Sequence, residues 1–213
     1  MRIGCVAGEF SLLETMRLED GCIPRLERHV SRMAASARHF GYTWDEAGVR
    51  AAVATAQHDH PNGCWRLRLL VDRTGTPTAE CTPHTGDTNR VWRVAFAREP
   101  VDERDPFLFN KTTRRAVYEH ARASHPSVDD VILWNRRGEV TESTIANVVA
   151  EIEGQRCTPP IECGLLGGMF RAELLEMGTI HERVITRDEF AAASRLWLIN
   201  SLREWIETRV VTV

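Results

Sequence analysis

The segment from Arg98 to Pro106 constrains the fold of this 213-residue chain more than any other feature. It is rich in charge, contains two prolines and has no apolar period, which is typical of a linker. The chain on either side of it is long enough to fold around a core of its own. We therefore predict a small α/β lobe at residues 1–98, a linker at 99–106 and a larger α/β lobe at 107–213.

Both halves carry helix and strand patterns, which predict a mixed α/β fold. In the first half, an apolar stripe at helical spacing predicts a helix from Leu26 to Phe40 that ends at Gly41. A second helix is expected at 45–57, and strands at 10–18, 65–71, 78–82 and 91–97. In the second half, helices are expected at 113–123, 169–176 and 188–193, and strands at 130–134, 146–151, 156–158, 196–200 and 205–211.

The composition excludes several classes of protein. Twenty-seven Lys and Arg against 30 Asp and Glu give a net charge of −3, which argues against a chain built mainly to bind nucleic acid. No apolar run approaches the roughly 18 residues of a membrane span, and the first residues are too short an apolar stretch for a signal peptide. The six cysteines are scattered without a Cys-x-x-Cys pair, so we expect reduced thiols, no metal site and a cytoplasmic location.

Two ionisable residues are candidates for chemistry. Lys111 lies between an apolar run and a helix start, where partial burial and cationic neighbours would lower its pKa, as a Schiff-base lysine requires. A solvated basic cluster is the alternative. Glu142 lies among Thr, Ser and Asn residues that would keep its carboxylate ionised. The alternative there is a short helical turn capped by Thr141 or Ser143.

Two further features could bind an anion. The glycine-rich turn 164–168 opens a helix at Met169, where backbone N–H groups and the helix dipole favour a phosphate, although a plain tight turn would give the same pattern. Arg32 lies beside the apolar stripe of the first helix and could clamp a phosphate, or could extend along the surface. Together, the lysine, the carboxylate, the phosphate cradle and the arginine are the groups that pyridoxal phosphate demands of a protein.

The residues and the order of these motifs resemble those of the class IV pyridoxal-phosphate enzymes, which include the branched-chain and D-amino-acid aminotransferases. Within this family the chain is most similar to the 4-amino-4-deoxychorismate lyases, in the form fused to aminodeoxychorismate synthase. The likeness runs from about residue 8 to the C-terminus. It is carried by residues 13–17, 26–37, 110–115, 138–147, 158–171 and 198–203.

The resemblance implies a two-lobed fold like that of D-amino-acid aminotransferase, with pyridoxal 5'-phosphate between the lobes. Lys111 would hold the cofactor covalently and Glu142 would bond its ring nitrogen. Arg32 would bind the phosphate, together with the backbone amides of Met169 and Phe170. Ser201 and Leu202 match a loop that supplies further amides.

The resemblance also implies a small-molecule substrate and a homodimer, which could work with an aminodeoxychorismate synthase. The expected reaction converts 4-amino-4-deoxychorismate to 4-aminobenzoate and pyruvate, a step toward folate. A class IV aminotransferase acting on branched-chain or D-amino acids is the alternative. Phe170 replaces a threonine found in many of these aminotransferases, so only backbone donors are expected there. Arg114, Arg115 and Arg203 are candidates to bind the substrate carboxylates.

Overall fold

The computed structural model describes residues 9–86 and 90–212 of the chain. The first of its two sheets is built from the N-terminal part of the chain. The sheet is antiparallel, with strand order β1-β2-β3. Its strands are Leu12–Glu19 (β1), Cys64–Val71 (β2) and Pro77–Pro83 (β3).

Two helices, Leu26–Phe40 (α1) and Glu46–Asp59 (α2), join β1 to β2 and pack against this sheet. The predicted apolar stripe of α1 is confirmed, because Val30, Met33 and Ala37 lie in one core with residues of β1 and β2. Helix α1 ends at Gly41, whose φ of 69° is a left-handed conformation that glycine adopts without strain. The start of α2 is also determined by nearby residues, since Asp45 accepts a hydrogen bond from the Gly48 amide.

The second sheet has eight strands in the order β10-β11-β4-β5-β6-β7-β8-β9. Strand β10 also pairs with β7, so six of these strands close into a ring. The strands are Trp92–Phe96 (β4), Asp130–Trp134 (β5), Val140–Ser143 (β6), Asn147–Ile152 (β7), Gln155–Thr158 (β8), His181–Glu182 (β9), Arg195–Asn200 (β10) and Glu204–Val210 (β11). The helices of this part are Pro106–Phe109 (α3), Ala116–Ala123 (α4), Met169–Glu176 (α5) and Arg187–Ala192 (α6), with a 3-10 helix at Ile161–Cys163.

The mixed α/β fold is confirmed, but three local expectations change. Strand β4 lies within residues 1–98 and yet pairs with β5 and β11 of the larger sheet. Within the predicted linker, Val101 is buried and its amide donates to the Trp134 carbonyl. Residues 140–143 form a strand and not a capped helical turn. The division of the chain into two lobes with a linker at 99–106 stays a prediction.

The helix expected from residue 113 begins at Ala116, because the residues before it pair with β1. The Leu13 amide donates to the Lys111 carbonyl, and the Thr113 amide donates to the Ser11 carbonyl. Backbone groups used in this way cannot also form the first turn of a helix. The pairing holds residues 111–113 extended and ties the second half of the chain to the first sheet.

Candidate active site

A cavity of about 480 Å³ lies between the first sheet and the strand ring. Of the site residues expected from the sequence, six line it: Arg32, Lys111, Glu142, Met169, Ser201 and Leu202. The Phe170 side chain does not line it. That ring is buried with Leu174 and Trp197 on the other side of α5.

Lys111 enters this cavity from the extended segment that pairs with β1. Burial, reinforced by the positive charge of Arg32, lowers the pKa of its amine to about 8. The negative charges of Glu14 and Glu142 oppose that shift. Lys111 forms no ion pair with any residue that the structure describes. Its amine is therefore partly neutral near pH 7–8, where it can act as a nucleophile or a base.

Glu142 enters the same cavity from β6, and only 4% of it is exposed. Burial raises the pKa of its carboxyl to about 8, so the expectation that its polar neighbours keep it ionised is wrong for the cofactor-free protein. Hydrogen bonds from the Tyr118 hydroxyl and the Leu166 backbone oppose the shift, as do the charges of Lys111 and Arg115. The Tyr118 hydroxyl donates to Oε1 at 2.8 Å. A buried carboxyl of this kind gains strongly from a cationic N–H partner.

Arg32 does not extend along the surface, because Glu14 of β1 holds it. Its Nε and Nη2 donate to the two Glu14 oxygens at 2.7 and 2.6 Å, and its Nη1 donates to the Gly167 carbonyl at 2.8 Å. The ring of His29 approaches the same carboxylate, with Nδ1 at 2.7 Å from Glu14 Oε2. Burial alone would raise the pKa of Glu14, but the charges of Arg32 and His29 outweigh it and lower that pKa to about 2. The arginine is thus locked in one orientation at the cavity wall.

The glycine-rich turn brings the start of α5 to the same wall. Gly168 is the N-cap, and a Cβ there would lie 2.1 Å from Asn147 Oδ1, so the close approach requires glycine. None of the described side chains caps the helix. Within residues 9–86 and 90–212, the amides of Met169, Phe170 and Arg171 have no acceptor. Free amides at a helix N-terminus beside an arginine favour an anion such as phosphate.

The loop after β10 differs from what the resemblance implies. The Leu202 amide already donates to Asn200 Oδ1 at 3.0 Å, and the Arg203 amide donates to the same oxygen at 2.8 Å. Ser201 is buried and lines the cavity. In this conformation Ser201 supplies the donors of the loop that remain free for a ligand.

Sequence reasoning missed Glu14 and His29, and it left the position of Tyr118 open. Glu14 had a signal, because it shares the buried face of β1 with Leu12, Met16 and Leu18. A carboxylate at such an alternating apolar position requires a partner. His29 lines the cavity, and its Nε2 is buried without a hydrogen-bond partner in the part of the chain that the structure describes.

Of the three arginines suggested for substrate carboxylates, Arg115 and Arg203 line the cavity. Arg114 does not, and its guanidinium stacks 4.6 Å from the Phe107 ring centroid. Among the described residues, no group of three His, Cys, Asp or Glu side chains could hold a metal ion. None of their helices is long and apolar enough to cross a membrane. Their five cysteines are free thiols, and Cys5 lies outside the described residues.

The cavity thus has the chemistry of a pyridoxal-phosphate enzyme. It contains a lysine without an ion pair, a buried carboxyl that favours a cationic partner, and a phosphate cradle of free amides beside a fixed arginine. These observations fit the cofactor's aldehyde, ring nitrogen and phosphate. The chain belongs to the class IV aminotransferase family, whose model matches residues 11–211. Enzymes of this family depend on pyridoxal phosphate.

Known relatives extend over most of the chain. A Schizosaccharomyces pombe protein named "Putative aminodeoxychorismate lyase" is 34% identical over 205 residues, which cover 92% of this chain and 87% of that protein. A crystal structure of a "Putative amino-acid aminotransferase" from Mesorhizobium loti is 36% identical, with a TM-score of 0.89, and the match covers 95% of this chain and all of that one. A hypothetical aminotransferase from Mycobacterium tuberculosis in its pyridoxal-phosphate-bound form shares the fold, at 23% identity and a TM-score of 0.82 over 94% of this chain and 81% of that one.

Proposed function

We propose that the protein is a pyridoxal-phosphate-dependent lyase that converts 4-amino-4-deoxychorismate to 4-aminobenzoate and pyruvate. The observation that carries the proposal is that Lys111 and Glu142 line the same cavity and that each has a pKa near 8. The choice of a lyase is supported by the likeness to the S. pombe protein over nearly the full length of both chains.

In this proposal the cofactor is held by residues from both halves of the chain. Arg32 and the amides of Met169 and Phe170 bind its phosphate, and Ser201 contributes from the loop after β10. Leu202 supports that loop while its amide remains bonded to Asn200. Lys111 forms the covalent link, and Glu142 faces the ring nitrogen.

The cofactor, when bound, supplies an electron sink for the carbanion that forms at the amine-bearing carbon. Lys111, when its amine is free, would be a partly neutral base in the cavity, because its pKa is lowered to about 8. It removes the proton from that carbon, a step typically worth about 10²–10⁴-fold. Glu142 keeps a proton on the ring nitrogen, which favours electron flow toward the ring. Breaking the bond to the enolpyruvyl oxygen then makes the substrate ring aromatic, which drives elimination.

The test is a reaction of the loaded enzyme with aminodeoxychorismate in the absence of any amino acceptor. Fluorescent 4-aminobenzoate and an equal amount of pyruvate are expected. The Lys111→Ala variant should lose this activity and the visible absorbance of the bound cofactor. Turnover that requires an added keto acid would contradict the lyase.

An aminotransferase using the same residues is the second candidate. It is favoured by the M. loti structure, which bears an aminotransferase name and matches this chain at 36% identity. In that reaction Lys111 would return the proton to the cofactor side, and water would then hydrolyse the carbon–nitrogen bond to release a keto acid, leaving the amino group on the cofactor. Transfer of an amino group from a branched-chain or D-amino acid to 2-oxoglutarate, measured directly, distinguishes the two reactions.

We also propose that the protein is a cytoplasmic homodimer that works beside an aminodeoxychorismate synthase in folate precursor synthesis. The family resemblance supports the dimer. The lability expected of the lyase substrate supports a nearby synthase. Light scattering of the purified protein tests the first, and faster 4-aminobenzoate formation from chorismate with added synthase tests the second.

A further inference from the structure

One end of the cavity carries arginines that the proposed cofactor site does not use. In β2, Arg66 and Arg68 alternate with the buried residues Leu67 and Leu69, so both lie on the face of the first sheet that lines the cavity. Arg203 lines the same cavity from the turn between β10 and β11. The two sheets thus bring positive charge to one place from opposite sides.

Arg66 and Arg203 have no counter-ion in the part of the chain that the structure describes. Neither side chain forms a hydrogen bond or ion pair with those residues, although the Arg203 guanidinium lies 5.7 Å from the centroid of the Trp92 ring. Burial, followed by the charge of Arg66, lowers the pKa of Arg203. Asp130 opposes that shift. Its Oδ1 accepts from the Val131 amide and the Thr144 hydroxyl, whereas its Oδ2 has no hydrogen-bond partner among the described residues and forms no ion pair with Arg203.

The same excess of positive charge acts on a third group. Burial first, and then the charges of Arg203, Arg17 and Arg66, lower the pKa of His84. Arg17 is paired with Glu19 at 2.7 Å, so it is largely neutralised. Arg66 is exposed and Arg203 is partly buried. Two guanidinium groups without a counter-ion among the described residues create a positive potential in this part of the cavity, which attracts an anion.

This cluster is separated from the lysine along the first sheet. Arg66 lies opposite Arg17 of β1, whereas Thr112, next to Lys111, bridges to Leu12 at the other end of that strand. An anion bound at Arg66 and Arg203 would therefore lie away from the reacting amine.

We propose that Arg66 and Arg203 form a subsite for the ring carboxylate of the substrate. The assignment rests on the proposed function, because the ring carboxylate of aminodeoxychorismate lies across the ring from its amine. With the amine directed to Lys111, that carboxylate points to the far end of the cavity. Two guanidinium groups from opposite sheets can each donate charge-assisted hydrogen bonds to it.

The probe is 4-hydroxybenzoate, which keeps the ring carboxylate but has no amine to react with the cofactor. Its uncharged counterpart, 4-hydroxybenzamide, has nearly the same shape. Inhibition of the loaded enzyme by each compound is measured for the unmodified protein, for Arg66→Gln, for Arg203→Gln and for the double variant. Arg209→Gln, an exposed position on β11, is the control.

We expect the acid to bind at least tenfold more tightly than the amide to the unmodified protein. Each single variant should lose roughly tenfold in affinity for the acid and little for the amide, since charged hydrogen bonds are worth about that factor or more. The KM for aminodeoxychorismate should rise by a similar factor while kcat changes little. Arg66→Lys should recover part of the loss because it keeps the charge.

Equal binding of acid and amide, or unchanged discrimination in the double variant, would overturn the subsite. This result is distinct from failure of the proposed function. If the charge-dependent binding is present but no 4-aminobenzoate forms from aminodeoxychorismate, the subsite stands and the lyase assignment falls. If turnover occurs and the variants leave KM unchanged, the lyase stands and the subsite falls.

Discussion

Glu14, which holds Arg32 at the cavity wall, and Glu142, which lines the cavity, are both buried, and their pKa values are shifted in opposite directions. Glu14, in the first sheet, has Arg32 and His29 as partners, and its pKa is lowered to about 2. Glu142, in the strand ring, has the neutral Tyr118 hydroxyl as its side-chain hydrogen-bond donor, and its pKa is raised to about 8. The difference shows that partners, and not burial alone, decide the state of a buried carboxyl. Glu14 is ion-paired within the protein, whereas Glu142 forms no ion pair with any described residue and can gain one from a ligand.

The largest expected effect comes from removing the carboxylate whose partners are in place. Glu14→Ala leaves Arg32 and His29 without their common partner in a buried site, and such a loss typically costs about 3–5 kcal/mol. Urea unfolding of the cofactor-free protein measures it. Glu19→Ala is the matched control, since it removes a partly exposed ion pair with Arg17 from the same strand and should cost less than about 1 kcal/mol. Similar losses in both variants would contradict the comparison.

Glu142→Gln should lower the activity of the enzyme without lowering its stability. The carboxyl forms no ion pair with a described residue and Gln can still accept the Tyr118 hydrogen bond, so the change should not lower the free energy of unfolding of the cofactor-free protein. The kcat should fall about 10²–10³-fold, as for the removal of one preorganised electrostatic group. Steady-state kinetics and urea unfolding on the same preparation separate the two quantities. A destabilised variant with full activity would show that Glu142 has a structural role instead.

Acid and alkali should act on the two carboxyls in opposite ways. The folded-state pKa of Glu14 is depressed, so its contribution is present above about pH 4.5 and is lost as the pH falls toward 2; a shift of about 2.5 units corresponds to about 3 kcal/mol. The folded-state pKa of Glu142 is raised, so its contribution is present below about pH 4.5 and is lost as the pH rises toward 8.

The measurement is the unfolding free energy of the cofactor-free protein from pH 3 to 8, compared with Glu14→Gln and Glu142→Gln. The difference between the unmodified protein and the first variant should grow with pH, and the difference from the second should shrink. Parallel curves for all three proteins would show that neither carboxyl has a shifted pKa.

The sequence predicts the elements whose causes are local. The stripe and terminal glycine of α1 place that helix, and α5 has the predicted bounds of Met169 and Glu176. Lys111 and Glu142 also reach one cavity, as the family resemblance implies. Long-range contacts cannot be predicted in the same way. The Arg32 side chain bonds Glu14 and the carbonyl of Gly167, which are 18 and 135 residues away.

The closure of the strand ring is missed for the same reason. The pairing of β10 with β7 joins segments some 48 residues apart, such as Trp197 with Val149. Both strands are nearly continuous apolar runs, which indicate buried strands without indicating their neighbours. The opposite states of Glu14 and Glu142 likewise depend on which side chains the fold brings to them. Glu14 lies in an apolar strand and Glu142 among polar residues, but neither local pattern shows which charged side chains contact the carboxyl.

The smallest expected effect concerns Tyr118, whose hydroxyl donates to Glu142 and so favours the ionised carboxyl. Tyr118→Phe removes this one hydrogen bond, which is worth about 1 kcal/mol, and keeps the ring. The pKa of Glu142 should rise further, so the stability that Glu142 contributes at low pH should persist to a higher pH. The difference between Tyr118→Phe and the Tyr118→Phe/Glu142→Gln double variant measures this shift. If this contribution is lost at the same pH as in the unmodified protein, the Tyr118 hydroxyl does not affect the pKa of Glu142. Burial alone would then account for the raised pKa.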